Sequence, residues 1–327
     1  VEFEKIPTIP TAEEILDRSF RRAAVKMKEK RNKDRANVDF VRTVHQAVHD
    51  RLIKVIRSFP EFDTVPRFYY EIADILFSID RIRKSLGAVG WAAKWAREHG
   101  PGLSYQARKA DDPTIIRKRA VARLASVVHQ VGPDLLFLNE VRNVLRKLPH
   151  VGEHFTVVVA GFPNVGKSSF IRRVSSAEPE VASYPFTTKG IIVGHRETHQ
   201  GRVQFIDTPG ILERPPEKRN SVEKQAVSAM LHVADAILFI LDPSAHCGYP
   251  LEDQMRLLRE IEGLVDVPLV VVTNKSDILA LDQYPSMATA SGEGVDEVLI
   301  RVLSCHVPGS EKCKGVPDQK TEDSPPV

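Results

Sequence analysis

The chain has 327 residues, of which 42% are hydrophobic and 27% charged, and its 46 Lys+Arg against 43 Asp+Glu leave a formal charge of +3. That composition fits a soluble globular protein with room for two domains. It excludes a membrane-spanning chain, because no apolar run approaches the ~18 residues a span needs, and VEFEKIPTIP lacks the basic-then-apolar order of a signal peptide.

The charge is unevenly spread. Residues 1–150 carry 29 Lys+Arg against 19 Asp+Glu, a net +10, and the remainder nets −7. Two halves of opposite sign imply two domains with different partners, the basic one suited to a polyanion such as RNA. Cys247, Cys305 and Cys313 show neither disulfide nor zinc spacing, which points to ordinary thiols in a reducing, cytoplasmic setting.

Residues 11–148 read as helix. Thr11 and Glu14 form a capping box ahead of the first helix. The stretch from Arg21 to Arg35 carries eight basic residues in fifteen, either a solvated helix face or an RNA contact. Val38, Val41, His45, Val48, Leu52, Val55 and Phe59 recur at steps of three and four, one apolar stripe on a long helix that Pro60 ends. On that stripe His45 reads as a core histidine before a ligand. A second helix is expected from about Val65 to Ile79. A third carries Trp91 and Trp95, for packing or for RNA stacking. The Gly-Pro-Gly at 100–102 is expected to break the chain. Ile116, Ala120, Leu124, Val128 and Val131 mark a further helix, and Leu138, Val141, Leu145 and Leu148 continue the stripe beyond Gly132-Pro133. The expectation is an all-helical bundle of four or five helices over residues 1–150.

After Pro149 the grammar changes. FTVVVAG, GIIVGH, RVQFID, AILFILD and PLVVVTN are short β-branched runs, most of them separated by helical stretches. Such alternation gives a mainly parallel sheet with helices on both faces, an α/β domain over 151–306. The polar Pro- and Gly-bearing tail, 307–327, is expected to be disordered.

Gly161 to Ser169, GFPNVGKSS, follows a strand and opens a helix. This is the phosphate-loop pattern: the Gly161–Gly166 backbone, with Asn164 and Val165, closes around phosphates and Ser169 continues it into the helix. Lys167 reaches the β- and γ-phosphates and the Ser168 hydroxyl binds Mg²⁺. Asp207 to Gly210, DTPG, ends another strand. Asp207 would support Mg²⁺, and the Gly210 amide could bond the γ-phosphate. Asn274 to Asp277, NKSD, ends a third strand. The Asp277 carboxylate matches the paired donors of guanine, which adenine lacks. Asn274 would brace the loop and base, and the Lys275 stem could cover the ring. Ala288 and Thr289 stand where a last loop would offer a backbone N–H to the guanine oxygen, and the short segment before them suggests that one peripheral helix is missing. In SYPFTTKG, Thr187 or Thr188 could close over Mg²⁺ and the γ-phosphate, or the pair could simply begin a strand.

Together GFPNVGKSS, YPFTTK, DTPGIL and NKSD resemble the Obg-type branch of GTPases. KIPTIPTAEEILD, FDTVPRFYYEIADILF, DTPGILERPPEKRNSVEKQA and SAHCGYPLEDQ narrow the resemblance to the nucleolar GTP-binding protein 1 (NOG) family, in the form of a short archaeal member. The resemblance implies hydrolysis of GTP to GDP with Mg²⁺, and a switch in assembly of the large ribosomal subunit. It implies docking of the helical domain on rRNA, with ribosomal proteins as further partners, no membrane, and a nucleolar location only in a eukaryote. It favours Thr188 as the Mg²⁺ ligand. Ile211 follows Gly210 where Ras-like switches place a water-orienting Gln. Either hydrolysis is intrinsically slow, or a partner supplies the missing group, or K⁺ does so beside Asn164, which otherwise bonds the switch backbone. The alternatives are a GTP-gated scaffold with incidental turnover, and a GTPase acting on tRNA or in a stress response.

Overall fold

A computed structural model describes residues 2–28, 32–148, 150–151, 154–182, 190–208 and 227–306. Thr187, Thr188, Gly210, Ile211 and the 307–327 tail lie outside them. The chain divides into two compact units, Val1–Lys147 and Leu148–Val327.

The first unit is helical: α1 (Ala12–Lys28), α2 (Lys33–Ser58), α3 (Arg67–Phe77), α4 (Ile79–Lys109), α5 (Pro113–Gln130) and α6 (Gly132–Leu145). Thr11 Oγ1 accepts from the Glu14 amide at 3.2 Å, and a Glu14 carboxylate oxygen accepts from the Thr11 amide at 3.3 Å, so the capping box forms. Val41, His45, Val48, Leu52, Val55 and Phe59 are buried along α2. Helix α2 stops before Phe59, whose successor is Pro60.

Gly-Pro-Gly does not break the chain. Helix α4 runs through it, with Pro101 inside. A mid-helix proline costs about 3 kcal/mol through a lost N–H and a ring clash. Packing against α2 holds the helix together here. Gly100 is buried so closely against α2 that a Cβ on it would lie 2.8 Å from that of His45. Ser104 Oγ also donates to the Gly100 carbonyl at 2.8 Å. The expected helix ending at Ile79 stops at Phe77, and Ser78 at φ 58° turns the chain into α4. Gly132-Pro133 separates α5 from α6, so the described residues hold six α-helices where four or five were expected.

His45 is 2% exposed. Its Nδ1 lies 2.9 Å from the Val41 carbonyl, and its Nε2 is buried without a hydrogen bond among the described residues. Burial lowers its pKa below 6.5, the Val41 bond opposes this, and the nearby His99 adds to the lowering. The folded state therefore holds His45 neutral while the unfolded chain takes up a proton below about pH 6.5. This contribution to stability is complete above that pH and is lost as pH falls towards the lowered folded value. Urea unfolding at about pH 7.5 and 5.5 should show that His45→Leu loses less stability on acidification than the parent. Equal losses would refute the assignment.

Among the described residues the second unit holds a six-stranded sheet in the order β2-β3-β4-β1-β5-β6. Its strands are β1 (Phe155–Ala160), β2 (Glu180–Ala182), β3 (Ile191–Thr198), β4 (Gly201–Asp207), β5 (Ala236–Leu241) and β6 (Leu269–Thr273). Strands β4, β1, β5 and β6 run parallel, and β3 is antiparallel to both β2 and β4. Val157, Val159, Phe205, Leu238, Ile240 and Val272 form one core with α7 (Lys167–Val174) and α9 (Val295–Ser304). The intervening Val158, Ile206, Ile237 and Phe239 are equally buried. By the strand period of two they face the other side, and α8 (Leu251–Glu262) packs on β5. Between β6 and α9 there are only turns and single bridges. Cys247 is a buried free thiol. Among the described residues no helix is long and apolar enough to cross a membrane.

Candidate nucleotide-binding site

The parallel strands end together, and their C-terminal loops carry the motifs, as ligand sites of parallel sheets do. Strand β1 delivers the phosphate loop. Gly161 has φ 140°, and a Cβ there would meet the Ile240 carbonyl at 2.5 Å. Asn164 has φ 59° and is exposed. Asparagine tolerates this left-handed conformation better than most residues, which by itself accounts for its presence. Val165 is buried, Gly166 precedes α7, and Lys167, Ser168 and Ser169 form its first turn. The Lys167 ammonium lies over the loop, donating to the Gly161 and Phe162 carbonyls at 2.9 and 2.8 Å. The helix N-terminus adds its partial positive charge to that of the lysine, so the loop is built for anions.

Asp207 ends β4 in register with Val159 of β1. Ser168 Oγ donates to Asp207 Oδ2 at 2.7 Å. These two hard oxygens, at the mouth of a phosphate loop, fit Mg²⁺, which is held by few protein ligands and completes its shell with phosphate and water. No cluster of three or more His, Cys, Asp or Glu suited to a metal occurs among the described residues.

Asn274, 1% exposed, holds the loops together. Its Nδ2 donates to the Val165 carbonyl at 2.7 Å and to Thr289 Oγ1 at 2.9 Å, and its Oδ1 accepts from the Thr289 amide at 2.9 Å. Gly166 permits this approach, since a Cβ there would collide with Asn274 Nδ2. Asn274 thus braces the loops with its whole side chain. Asp277 is exposed on the following turn, its carboxylate unengaged among the described residues.

The last loop differs from expectation. The Ala288 amide donates to the Glu293 carbonyl at 2.9 Å, and the Thr289 amide is taken by Asn274. Neither Ala288 nor Thr289 therefore has a backbone N–H to offer a base, and the next amide along the loop is that of Ala290. Arg173 of α7 clamps this loop, donating to the Thr289 and Ala290 carbonyls at 2.6 Å each.

A second network escaped the sequence reading. Asp242, fully buried at the end of β5, accepts from Lys275 Nζ at 2.6 Å and from the Cys247 amide at 2.7 Å. The Ser244 amide and hydroxyl donate to its other oxygen. Gln254 of α8 brackets its backbone, accepting from the Asp242 amide and donating to the Asp242 carbonyl. Burial alone would raise the Asp242 pKa, but the Lys275, Ser244 and Cys247 donors together carry it below the usual value. The carboxylate is charged and holds Lys275, whose φ of 61° starts the turn bearing Asp277. The signal available beforehand was an Asp ending AILFILD, as Asp207 ends RVQFID.

A profile described as the NOG1 N-terminal helical domain matches residues 3–152, and one described as a 50S ribosome-binding GTPase matches residues 156–275. The chain belongs to the NOG1 family. Within that family, nucleolar GTP-binding protein 1 of Drosophila melanogaster is 34% identical over 302 residues, covering 86% of this chain and 45% of that protein. An uncharacterized protein of Methanocaldococcus jannaschii is 40% identical over 288 residues, covering 85% of this chain and 81% of that one. The chain thus spans about half the length of the eukaryotic curated relatives it matches. A crystal structure of a Plasmodium falciparum protein described as nucleolar GTP-binding protein 1 aligns with a TM-score of 0.43 at 34% identity, covering 48% of this chain and 89% of that one. By the two profile matches, this NOG1-family chain is a helical domain followed by a GTPase-family domain.

Proposed function

We propose that this NOG1-family chain binds GTP with Mg²⁺, hydrolyses it slowly, and acts as a switch in assembly of the large ribosomal subunit. The observation that carries the guanine-nucleotide reading is the Asn274 brace, which joins the phosphate loop to both base-side loops. In this reading Lys167 swings from its loop carbonyls to the β- and γ-phosphates, and amides from Gly161 to Ser169 line them. Ser168, Asp207 and Thr188 hold Mg²⁺, which would neutralise phosphate charge. The Gly210 amide meets the γ-phosphate. Asp277 takes the two guanine donors, the Lys275 stem lies along the ring, and the Ala290 amide serves the guanine oxygen in place of Ala288 and Thr289.

The ribosomal role is supported by the names of the relatives, by the family described as 50S ribosome-binding, and by the +10 charge of the first 150 residues. We place rRNA and ribosomal proteins as partners of the helical domain. We place the chain in the cytoplasm, or in the nucleolus of a eukaryote.

Ile211 cannot orient water, so electrostatic help must come from the phosphate loop, a docked partner or K⁺ at Asn164. Single-turnover GTP hydrolysis should be measured in K⁺ and Na⁺ buffers, with and without large-subunit particles. Stimulation by particles is the expected result. A rise with K⁺ alone, removed by Asn164→Ala, would assign the help to the ion. A near-zero rate under every condition would leave a GTP-gated scaffold and end the enzyme reading.

A further inference from the structure

The helical unit contains a cleft of about 520 Å³ between α1 and α2, lined by Arg22, Lys26, Asp39, Arg42, Thr43, Gln46 and Ala47. Arg22 and Lys26 stand one turn apart on α1, and Arg42 faces them from α2. All three are exposed, and none forms an ion pair among the described residues. Their neighbour Arg21 is different: it is paired with Asp17 at 2.8 Å. Arg51 extends the cationic wall along α2, its Nη1 donating to the carbonyl of Ala47 at 3.1 Å. Burial lowers its basicity most, and the facing charges of Arg22 and Arg18 lower it further. Of the acids nearby, Asp39 lines the same wall, and Asp50 accepts from Gln46 at 2.6 Å. Cations so converge on a concave surface from two helices. A merely solvated face would spread them or match them with acids.

We propose that this cleft is a phosphate-backbone site for structured RNA, in which Arg22, Lys26 and Arg42 each meet a phosphate. It rests on the reading of the helical domain as RNA-binding and gives that reading a location. The lining favours backbone over base or free nucleotide. Its described lining holds no aromatic ring for a base to stack on, and its polar groups are three cations, a hydroxyl, an amide and the single carboxylate of Asp39, a net positive set that suits phosphate oxygens. Arg18, Arg22 and Lys26 recur every four residues, about 6 Å along the helix axis. That is the scale on which successive phosphates of one strand follow each other, and a lone phosphate would need only one of the three.

The test is binding of the full chain to a hairpin RNA by fluorescence anisotropy, from about 50 to 200 mM salt. The cleft variant is Arg22→Gln/Lys26→Gln/Arg42→Gln, and the control is Lys118→Gln/Arg119→Gln on the exposed face of α5. The cleft variant should bind at least ~10-fold more weakly, with the slope of log affinity against log salt shallower by about 2 to 3. The control should change affinity less than ~2-fold, and GTP affinity should stay at the parent value in both. A parent chain that binds no RNA would overturn both the RNA reading and the cleft. A cleft variant that keeps the parent slope, or a control that loses as much, would overturn the cleft alone. Polyglutamate binding as tightly as RNA, with the same loss in the variant, would give the cleft to an acidic protein segment and overturn the RNA assignment.

Discussion

Replacing Asp277 by Asn is expected to weaken GTP binding by about 100- to 10,000-fold and to move preference to xanthosine triphosphate. Two hydrogen bonds from guanine to one carboxylate are charge-assisted, at about 1.5–3 kcal/mol each, and about 1.4 kcal/mol is tenfold in affinity. Asparagine keeps one acceptor and turns an NH₂ group towards the guanine amino group, donor against donor. Xanthine has a carbonyl oxygen there and accepts from the same NH₂ group. Displacement of a fluorescent guanine nucleotide by GTP, xanthosine triphosphate and ATP reads the change directly. The substitution should leave folding untouched, because Asp277 is exposed and its carboxylate braces nothing among the described residues. A variant that keeps its preference for GTP would remove Asp277 from the base site.

The second large effect is expected at Asp242. Asp242→Ala leaves the Lys275 ammonium and the Ser244 and Cys247 amides facing a void, and breaking a buried ion pair costs about 3–5 kcal/mol. In a unit of this size each kcal/mol shifts Tm by about 2–4 °C, so a fall of at least about 6 °C is expected by calorimetry. Nucleotide affinity should fall with it, since the Lys275 tether sets the turn that carries Asp277. The double variant Asp242→Asn/Lys275→Met separates the two consequences. It removes the uncompensated charge, so most of the stability should return while the affinity stays low. A single Asp242→Ala variant melting within about 1 °C of the parent would show that the pair is dispensable.

Much of this organisation was legible locally. The apolar stripe of α2, its stop before Pro60, the capping box at Thr11 and the loops ending β1, β4 and β6 are each written within a few adjacent residues. Where packing or distant partners decide, the chain gave little warning. Gly-Pro-Gly reads as a break by every local rule, yet Gly100 is the contact that lets α4 lie against His45 of α2. Strand β2 has three residues, too few to show a period. In the last loop, Thr289 looked available for a base because its acceptor, Asn274, stands 15 residues away. Asp242 likewise meets Gln254 at 12 residues and Lys275 at 33, and no short pattern joins them.

Helix α7 starts with Lys167 at the phosphate end of the site and carries Arg173, which grips the Thr289–Ala290 loop at the base end. The six residue steps from Lys167 to Arg173 rise about 9 Å, so in the proposed site one rigid helical element would gauge the span between the triphosphate and base ends. Such a gauge does not tolerate a change of length. One residue added or removed within α7 turns Arg173 about 100° around the helix axis and releases the loop carbonyls, even with every motif residue still in the chain. Substitutions on its surface should be borne easily, whereas insertions and deletions should not.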